Sequence, residues 1–428
     1  MLQAMFWMLV LPAAATLAIT MGIRQSMGLF VSPLNTSTGL GIVSISLAMA
    51  IGQFSWGLAQ PLFGMLADRI GAFKVIILGT LLLAAGLALT PFMHSEMGLI
   101  IAIGIMVAAG SGAGSLSILI GTVAQRMSNE QRSSAAGFIN AGGSLGQFIF
   151  APLTQALIHA FNWVNALYLL ALTSLMAIGF ALPLRDKAGK HAGTVSSSAA
   201  ANQALANAAA NPSVQTSTQT STTTKLPSLR QQLGQACRDR SYLCLNLGFF
   251  TCGFHVAFLV THLPGEVVLC GMSAAVGATS LAIIGIANVF GSIAAGQLGK
   301  TQRMKMILFW MYASRAVAIA IYLLAPKTEL NFYIFAAVLG VTWLATVPPT
   351  AGLVGKLFGP RYLATLFGFT LLSHQIGGFF GAWLGGITLD ASGSYQWMWL
   401  ADIVLALIAA LANLPIREAR PAPLAKAA

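Results

Sequence analysis

Twelve stretches of about 20 or more mostly apolar residues run along this chain, each long enough to cross a lipid bilayer as an α-helix. We number them spans 1 to 12: 6–32, 43–65, 74–93, 98–124, 134–159, 163–184, 241–263, 273–297, 304–325, 331–355, 364–389 and 396–414. Only helices and closed barrels satisfy their backbone hydrogen bonds in lipid, and apolar runs of this length favour helices. The pattern therefore predicts an all-α membrane protein with twelve transmembrane helices.

Charged residues are few and unevenly placed. They make up 7% of the 428 residues, whereas soluble domains carry about 25%, so a soluble enzyme is excluded. Of 22 lysines and arginines, 19 lie at the loops after spans 2, 4, 8 and 10, between spans 6 and 7, or after span 12. Basic loops stay in the cytoplasm during insertion, so we predict a protein of the cytoplasmic membrane with both termini cytoplasmic. This placement also explains the net charge of +12 without a nucleic-acid partner.

The second half of the chain repeats the first with an offset of 231 residues. The matched pairs are Thr20/Thr251, Gly22/Gly253, Pro33/Pro264, Lys74/Lys305, Gly137/Gly368, Phe138/Phe369, Gly146/Gly377 and Phe148/Phe379. The offset predicts two pseudo-symmetric six-helix bundles, 1–184 and 241–414, a plan in which transporters hold substrate between the repeats. Segment 185–240, whose middle 194–224 is uncharged and rich in Ala, Ser and Thr, is predicted to be a largely disordered cytoplasmic linker. Residues 415–428 are predicted to form a cytoplasmic tail.

A loop motif follows span 2. Its members are Gly64, Asp68, Arg69, Gly71 and Lys74. The motif resembles the loop signature of the major facilitator superfamily, and the twelve-span topology extends that resemblance over the whole chain. The resemblance implies the major facilitator fold and a loop that steers the switch between inward- and outward-open states. We expect the Asp68 carboxylate to meet a helix N-terminus or Arg126, while the two glycines permit close packing and a tight turn.

We expect no cofactor and no enzymatic activity. The loop after span 8 ends in Gly299-Lys300-Thr301 like a nucleotide-binding loop, but Ala294 stands where that motif requires glycine. The four cysteines form no Cys-x-x-Cys pair, so no metal site is expected. Transport would then be driven by gradients of ions or solutes.

Ionisable side chains inside a membrane are costly, so those within the spans are candidates for the substrate site. They are Arg24, His255, Arg315, His374 and Asp402. The offset of 231 relates Arg24 to His255, and the superfamily resemblance implies that spans 1 and 7 line the cavity with spans 4 and 10. Arg315 and Asp402 lie at comparable depth in peripheral spans, so Arg315 either binds substrate or pairs with Asp402. No Asp or Glu falls within the predicted cavity-lining spans, so we expect a positively charged cavity.

Neutral polar residues complete the candidate substrate site: Gln375, Asn288, Asn140 and Gln147. Gln375 follows His374, which can titrate near neutral pH and donate to a carboxylate. Asn140, Gln147 and Asn288 are each equally well explained by a hydrogen bond between helices.

Several stretches resemble the bacterial branch near the monocarboxylate porters and oxalate/formate antiporters: residues 22–30, 253–258 with 261–264, 342–350 and 371–381. The resemblance implies a substrate role for Arg24, because monocarboxylate transporters keep a basic residue in the first helix. The chain departs from the pattern in span 8, where Asn288 fits but Ser292 replaces an arginine. The carboxylate clamp would then be rebuilt, with His255 or His374 as the replacements.

These observations favour a secondary active transporter for a small organic anion, most simply a carboxylate, working by alternating access as proton symport or as exchange. Arg24 would be the fixed counter-charge, and His255 and His374 would bind the anion or carry a proton. The alternative is efflux antiport of hydrophobic compounds, because 17 Met and 24 Phe could line an apolar pocket. The expected partners are the anionic substrate, a proton under symport and the lipid bilayer, and we expect a monomer.

Overall fold

The structure is a computed structural model that describes residues 2–124, 126–127, 129–185, 229–359 and 363–418. Regular structure in this part of the chain is helical, with no strand, which confirms the all-α prediction. Residues 194–224, predicted to be disordered, lie outside the described residues, as does the tail from residue 419 onward. A short helix, Leu229–Ala236, precedes span 7 within the predicted linker.

Every predicted span coincides with helix. In the first half these helices are Leu2–Gln25 and Val31–Thr38 (span 1), Ile42–Ile70 (span 2), Ala72–Leu89 (span 3), Glu96–Leu99, Ile100–Val107, Ala108–Ala113 and Leu116–Ala124 (span 4), and Asn129–Ala181 (spans 5 and 6). In the second half they are Arg240–Leu269 (span 7), Ala274–Thr301 (span 8), Met304–Leu324 (span 9), Glu329–Thr342 and Val347–Phe358 (span 10), Leu363–Ser392 (span 11) and Gln396–Asn413 (span 12).

Ten helical stretches of the described chain are long and apolar enough to cross a membrane. One of them, Ser134–Leu184, contains spans 5 and 6, which meet at Asn162, where the backbone leaves the helical region with φ 64°. The 30-residue helix of span 11, Leu363–Ser392, is not among the ten. When Ser134–Leu184 is divided into spans 5 and 6 and span 11 is added, all twelve predicted spans are accounted for.

Three spans are interrupted near their middle or outer part. Span 1 contains a buried 3-10 turn at Met27–Phe30, span 4 breaks after Ala113, and span 10 is non-helical between Thr342 and Val347. Irregular backbone at membrane depth is tolerated where it is buried in protein or lines a cavity. These interruptions fall in three of the four spans that the resemblance assigned to the cavity.

Each half is held together by close helix contacts at positions related by the repeat. A methyl group added at Gly146 would lie 2.1 Å from the Ala18 carbonyl oxygen, and one added at Gly377 would lie 2.0 Å from the Phe250 carbonyl oxygen. Span 1 therefore packs against span 5 as span 7 packs against span 11. Small residues at these crossings allow backbones to approach, as is usual between membrane helices.

The two halves meet through spans 2 and 11 and through spans 5 and 8. They are tightly packed at one end, which we call the closed end: a methyl group at Gly28 would lie 1.9 Å from the Val260 carbonyl oxygen, and one at Gly386 would lie 2.3 Å from Ser46 Oγ. At the opposite end, the open end, methyl groups at Gly137, Gly296 and Gly368 would meet no atom within 4 Å. The described residues are thus closely packed between spans 1 and 7 and between spans 2 and 11 at the closed end, and they leave open space beside Gly137, Gly296 and Gly368 at the open end.

Candidate functional site

Arg24 projects from span 1 toward span 2 and is only partly exposed. Its Nη2 donates a hydrogen bond to Gln53 Oε1, and its guanidinium carbon lies 4.3 Å from the centre of the Trp56 ring. The amide oxygen and the aromatic face orient the guanidinium without neutralising it. No carboxylate of the described residues forms an ion pair with Arg24.

Span 11 approaches the same place from the second half. The buried Gln375 side chain lies against Gly57, where an added methyl group would come 2.4 Å from Gln375 Cγ. Gln375 Nε2 donates to His374 Nδ1 at 3.4 Å, and His374 Nε2 has no hydrogen-bond partner within the described chain. Arg24, Gln53, Trp56, His374 and Gln375 are hereafter the central polar cluster. It combines one fixed cation with a titratable imidazole and two amides, a donor set suited to a small anion.

The remaining amides lie at the other contact between the halves. Gln25 Nε2 donates to Gln147 Oε1 at 3.4 Å, which joins span 1 to span 5 next to Arg24. Asn288 is fully engaged: its Nδ2 donates to Ser144 Oγ at 2.8 Å and its Oδ1 accepts from Leu344 N at 2.9 Å. Asn288 therefore ties span 8 to span 5 and to the break in span 10, which leaves little capacity for substrate. Asn140 is half-buried toward the open end.

The structure places His255 away from the central polar cluster. Its Nδ1 lies 2.5 Å from Asp402 Oδ2 of span 12, and the two side chains are 1% and 0% exposed. Its ring centre is 5.8 Å from that of Trp343 in span 10. The offset of 231 therefore relates Arg24 and His255 in sequence, but they serve different contacts: Arg24 lies where the halves meet, and His255 is enclosed within the second half.

Arg315 neither pairs with Asp402 nor reaches the central polar cluster. Its Nη2 donates to the carbonyl oxygens of Thr342 and Trp343, the latter at 2.6 Å, and its Nε donates to Thr342 Oγ1 at 3.3 Å. These carbonyls are left without helical partners where span 10 breaks, and a cation at a helix C-terminus also meets the negative end of the helix dipole. Arg315 thus caps the interrupted helix.

Replacing Arg315 with leucine is expected to destabilise the protein rather than remove substrate affinity alone. Each buried carbonyl left without a donor costs about 1–3 kcal/mol, so thermal unfolding in detergent should shift to markedly lower temperature. Arg238→Leu, which changes an exposed arginine just before span 7, serves as the control and should leave the unfolding temperature unchanged. An Arg315→Leu protein of normal stability that no longer binds anions would instead assign Arg315 to the substrate site.

The loop motif lies at the open end. Gly71 joins spans 2 and 3 with φ 93°, a conformation that favours glycine, while Arg69 and Lys74 are exposed. The Asp68 side chain lies outside the described part of the chain, so its expected partner is not tested, but Arg126 donates to the carbonyl oxygens of Pro183 and Leu184 at the end of span 6.

The second half, which lacks the Asp-Arg pair, places a tail carboxylate at the corresponding helix start. Glu418 accepts from Met304 N at 3.1 Å, Lys305 N at 2.9 Å and Lys356 Nζ at 2.7 Å. Lys305 Nζ in turn donates to the carbonyl oxygens of Leu414 and Ile416 at the end of span 12. These bonds join the ends of spans 9, 10 and 12 at the open end.

The expected absence of carboxylates from the cavity-lining spans also requires correction. Span 7 does not end near Pro264 but continues to Leu269, so a carboxylate, Glu266, does lie within a predicted cavity-lining span. Pro264 is accommodated inside this helix, and Glu266 is 9% exposed and accepts from Tyr322 OH at 2.7 Å. Because Glu266 faces span 9 at the closed end, it does not neutralise the central polar cluster.

Sequence analysis missed three other residues of interest. Gln53 and Trp56 are not ionisable and stand in an apolar span, where the one available signal is the polar side chain of Gln53. His262 is fully buried, with Nδ1 3.1 Å from Tyr395 OH and Nε2 2.7 Å from the Ala382 carbonyl oxygen, so both ring nitrogens are engaged. No group of three His, Cys, Asp or Glu among the described residues is arranged to hold a metal ion.

Comparison with known proteins gives one family and several relatives. The sequence profile described as Major Facilitator Superfamily matches residues 2–382. Monocarboxylate transporter 13 of Rattus norvegicus is 25% identical over 394 residues, covering 91% of this chain and 83% of the relative. The oxalate:formate antiporter of Oxalobacter formigenes is 21% identical over 388 residues, covering 89% and 84%. An uncharacterised MFS-type transporter of Escherichia coli, YhjX, is 23% identical over 336 residues, covering 77% and 76%.

Proposed function

Because the chain belongs to the major facilitator superfamily, we propose that it is a secondary transporter that carries a small organic anion, most simply a carboxylate, across the membrane. It is a multi-pass membrane protein, and the relatives it resembles are transporters rather than enzymes. The geometry of the described residues supports the proposed substrate class, site and mechanism.

The observation that carries the proposal is the uncompensated charge of Arg24. A guanidinium drawn partly out of water is costly unless an anion pairs with it, and its contacts here are the neutral Gln53 and the Trp56 ring. A carboxylate bound at this point would complete a bidentate, charge-assisted pair. Gln375 and His374, approaching from span 11, would supply donors from the second half. The anion would then be held between the two bundles, as expected for a transporter built from repeats.

Alternating access accounts for the difference between the two ends of the molecule. The closed end is packed at Gly28 and Gly386, whereas the open end leaves space at Gly137, Gly296 and Gly368. The open end carries the loop motif and most basic loops, so it would face the cytoplasm with both termini, in the bacterial inner membrane. Bundles 1–184 and 241–414, joined by 185–240, would rock about the central polar cluster to open the other end.

The relatives support an anionic substrate without deciding how its movement is driven. One is named for monocarboxylates and the other for exchange of oxalate and formate. Movement of a carboxylate together with one proton, and exchange of two anions of equal charge, both transfer no net charge across the membrane. Proton symport and anion exchange are thus the two forms of the proposal.

Uptake into proteoliposomes tests the function. Purified protein reconstituted into vesicles is supplied with labelled formate, acetate, lactate or oxalate, in separate runs with and without unlabelled anion inside. We expect at least one carboxylate to enter faster than into protein-free vesicles and to compete with the others. Failure of every carboxylate to enter, or transport confined to hydrophobic cations, would contradict the proposal and favour drug efflux.

A further inference from the structure

A second charged site lies inside the second half, separate from Arg24. His255 and Asp402 are in contact at 2.5 Å and are almost completely buried, yet His255 Nε2 and Asp402 Oδ1 have no hydrogen-bond partner within the described residues. Buried polar atoms without partners are costly, and buried charges are weak sources of stability. A pair of this kind therefore calls for a role beyond joining span 7 to span 12.

We propose that His255 and Asp402 bind the proton that accompanies the anion, an assignment that rests on the anion-transport function proposed above. One proton lies between Nδ1 and Oδ2 in both states of the pair. The transported proton adds to the lone pair of Nε2, which takes the pair from a net charge of −1 to 0, and it is released to water when that N–H bond breaks. No other bond forms or breaks.

Arg315 helps the His255–Asp402 pair to exist both with and without the transported proton. It donates to the Trp343 carbonyl oxygen at 2.6 Å, and the ring of Trp343 lies 5.8 Å from that of His255. Trp343 thus connects the guanidinium to the pair, and Arg315 makes no direct hydrogen bond to either residue. When the proton is present the pair is neutral, and when it leaves, Arg315 offsets part of the remaining negative charge. A buried carboxylate without such a neighbour would hold its proton too tightly to release it.

The other titratable groups around His255 come from four packed elements. Span 7 itself carries Cys252 one turn before it and His262 two turns after it, span 11 contributes His374, span 9 contributes Arg315 and Tyr312, and span 12 contributes Tyr395 besides Asp402. Spans 1, 2 and 8 also pack against span 7. The charged residue that they contribute within the membrane is Arg24, which contacts Gln53 and Trp56. Asp402 is the group in contact with the imidazole.

Two other buried groups of span 7, His262 and Glu266, lack this character. His262 has partners on both nitrogens, Tyr395 OH and the Ala382 carbonyl oxygen, so no lone pair is open for a proton. Glu266 is bonded to Tyr322 OH at 2.7 Å near the end of the helix. His255 is therefore the span 7 histidine with a buried ring nitrogen left open.

A direct packing contact links the proton pair to the anion site. Gly253, two residues before His255, is so close to span 11 that an added methyl group would lie 1.8 Å from the His374 carbonyl oxygen. His374 belongs to the central polar cluster. A change in charge at His255 that shifts span 7 relative to span 12 must therefore also move the backbone that carries His374 and Gln375.

Transport measurements on Asp402→Asn distinguish proton-driven accumulation of the anion from movement of the anion itself. With wild-type protein, an inward proton gradient should accumulate the carboxylate about tenfold per pH unit, the equilibrium for one proton per anion. In Asp402→Asn, accumulation should fall to the level without a gradient, while exchange of labelled for unlabelled anion at equal pH continues. Glu266→Gln is the matched control, an acid-to-amide change in span 7 that should retain the accumulation. Full accumulation by Asp402→Asn, or loss of exchange together with accumulation in a folded variant, would overturn the proposal.

A fluorescence titration tests proton binding without any transport. A protonated imidazole quenches a neighbouring indole. The fluorescence of Trp343 is obtained in detergent as the emission of wild type minus that of Trp343→Phe. We expect this difference to decrease as the pH is lowered. His255→Gln should abolish this fall. Absence of a pH response in wild type would refute the proton site even if carboxylate transport is found. A response in a protein that moves no carboxylate would leave the proton site standing and reject the proposed anion.

Discussion

Carboxylate uptake by Arg24→Ala is expected to fall to the background of protein-free vesicles. The substitution removes the cation and leaves a bound carboxylate unpaired where the halves meet. Truncating one partner of a buried, hydrogen-bonded charge pair costs about 2–5 kcal/mol, which lowers affinity roughly 30-fold or more. Initial uptake rates over a range of carboxylate concentrations would measure this as a rise in KM or as loss of saturable transport.

Two comparison variants separate the charge from its geometry. Arg24→Lys keeps the cation but not the planar fork that is stacked on Trp56, so we expect weakened transport with a raised KM. Arg238→Ala removes an exposed arginine just before span 7 and should transport normally. Undiminished uptake by folded Arg24→Ala would remove the central polar cluster from consideration as the anion site, and drug-susceptibility changes that do not depend on Arg24 would favour the efflux alternative.

Alanine at Gly377 is expected to destabilise the second bundle. Its methyl group would lie 2.0 Å from the Phe250 carbonyl oxygen, and because the nearest atoms it would meet belong to the backbone of span 7, spans 7 and 11 must separate. Overpacking of this kind typically costs about 1–3 kcal/mol. Thermal unfolding of the detergent-solubilised protein, followed by size-exclusion chromatography of heated samples, should show a clearly lower midpoint.

The same helix supplies the matched control. Gly368→Ala adds a methyl group where no atom lies within 4 Å, and alanine favours helix over glycine by about 1 kcal/mol, so its midpoint should be equal or higher. The repeat predicts the same contrast in the first bundle between Gly146→Ala and Gly137→Ala. Equal stability of the Gly377 and Gly368 variants would contradict the close approach of spans 7 and 11.

Packing positions were predictable from the sequence because they depend on the repeat. Two of the glycine pairs shared through the offset of 231, Gly22/Gly253 and Gly146/Gly377, became helix contacts in both halves, whereas Gly137 and Gly368 meet no atom within 4 Å. The residues that differ between the halves were harder to place. Arg24 and His255 occupy equivalent positions, yet one meets Gln53 and the other Asp402, because a partner depends on how neighbouring helices are rotated.

Hydropathy is a property of local sequence, so the sequence by itself determined the helical spans and the short set of intramembrane charges that includes Arg24. The two-bundle plan is a prediction from the repeat. Helix ends were less certain: Pro264 suggested an end that the helix passes, and this brought Glu266 into span 7. Only the tertiary structure decided that Asp402 pairs with His255 and that Arg315 caps the break in span 10. Those outcomes depend on distances of a few ångströms between segments more than 25 residues apart in the chain, which no local pattern encodes.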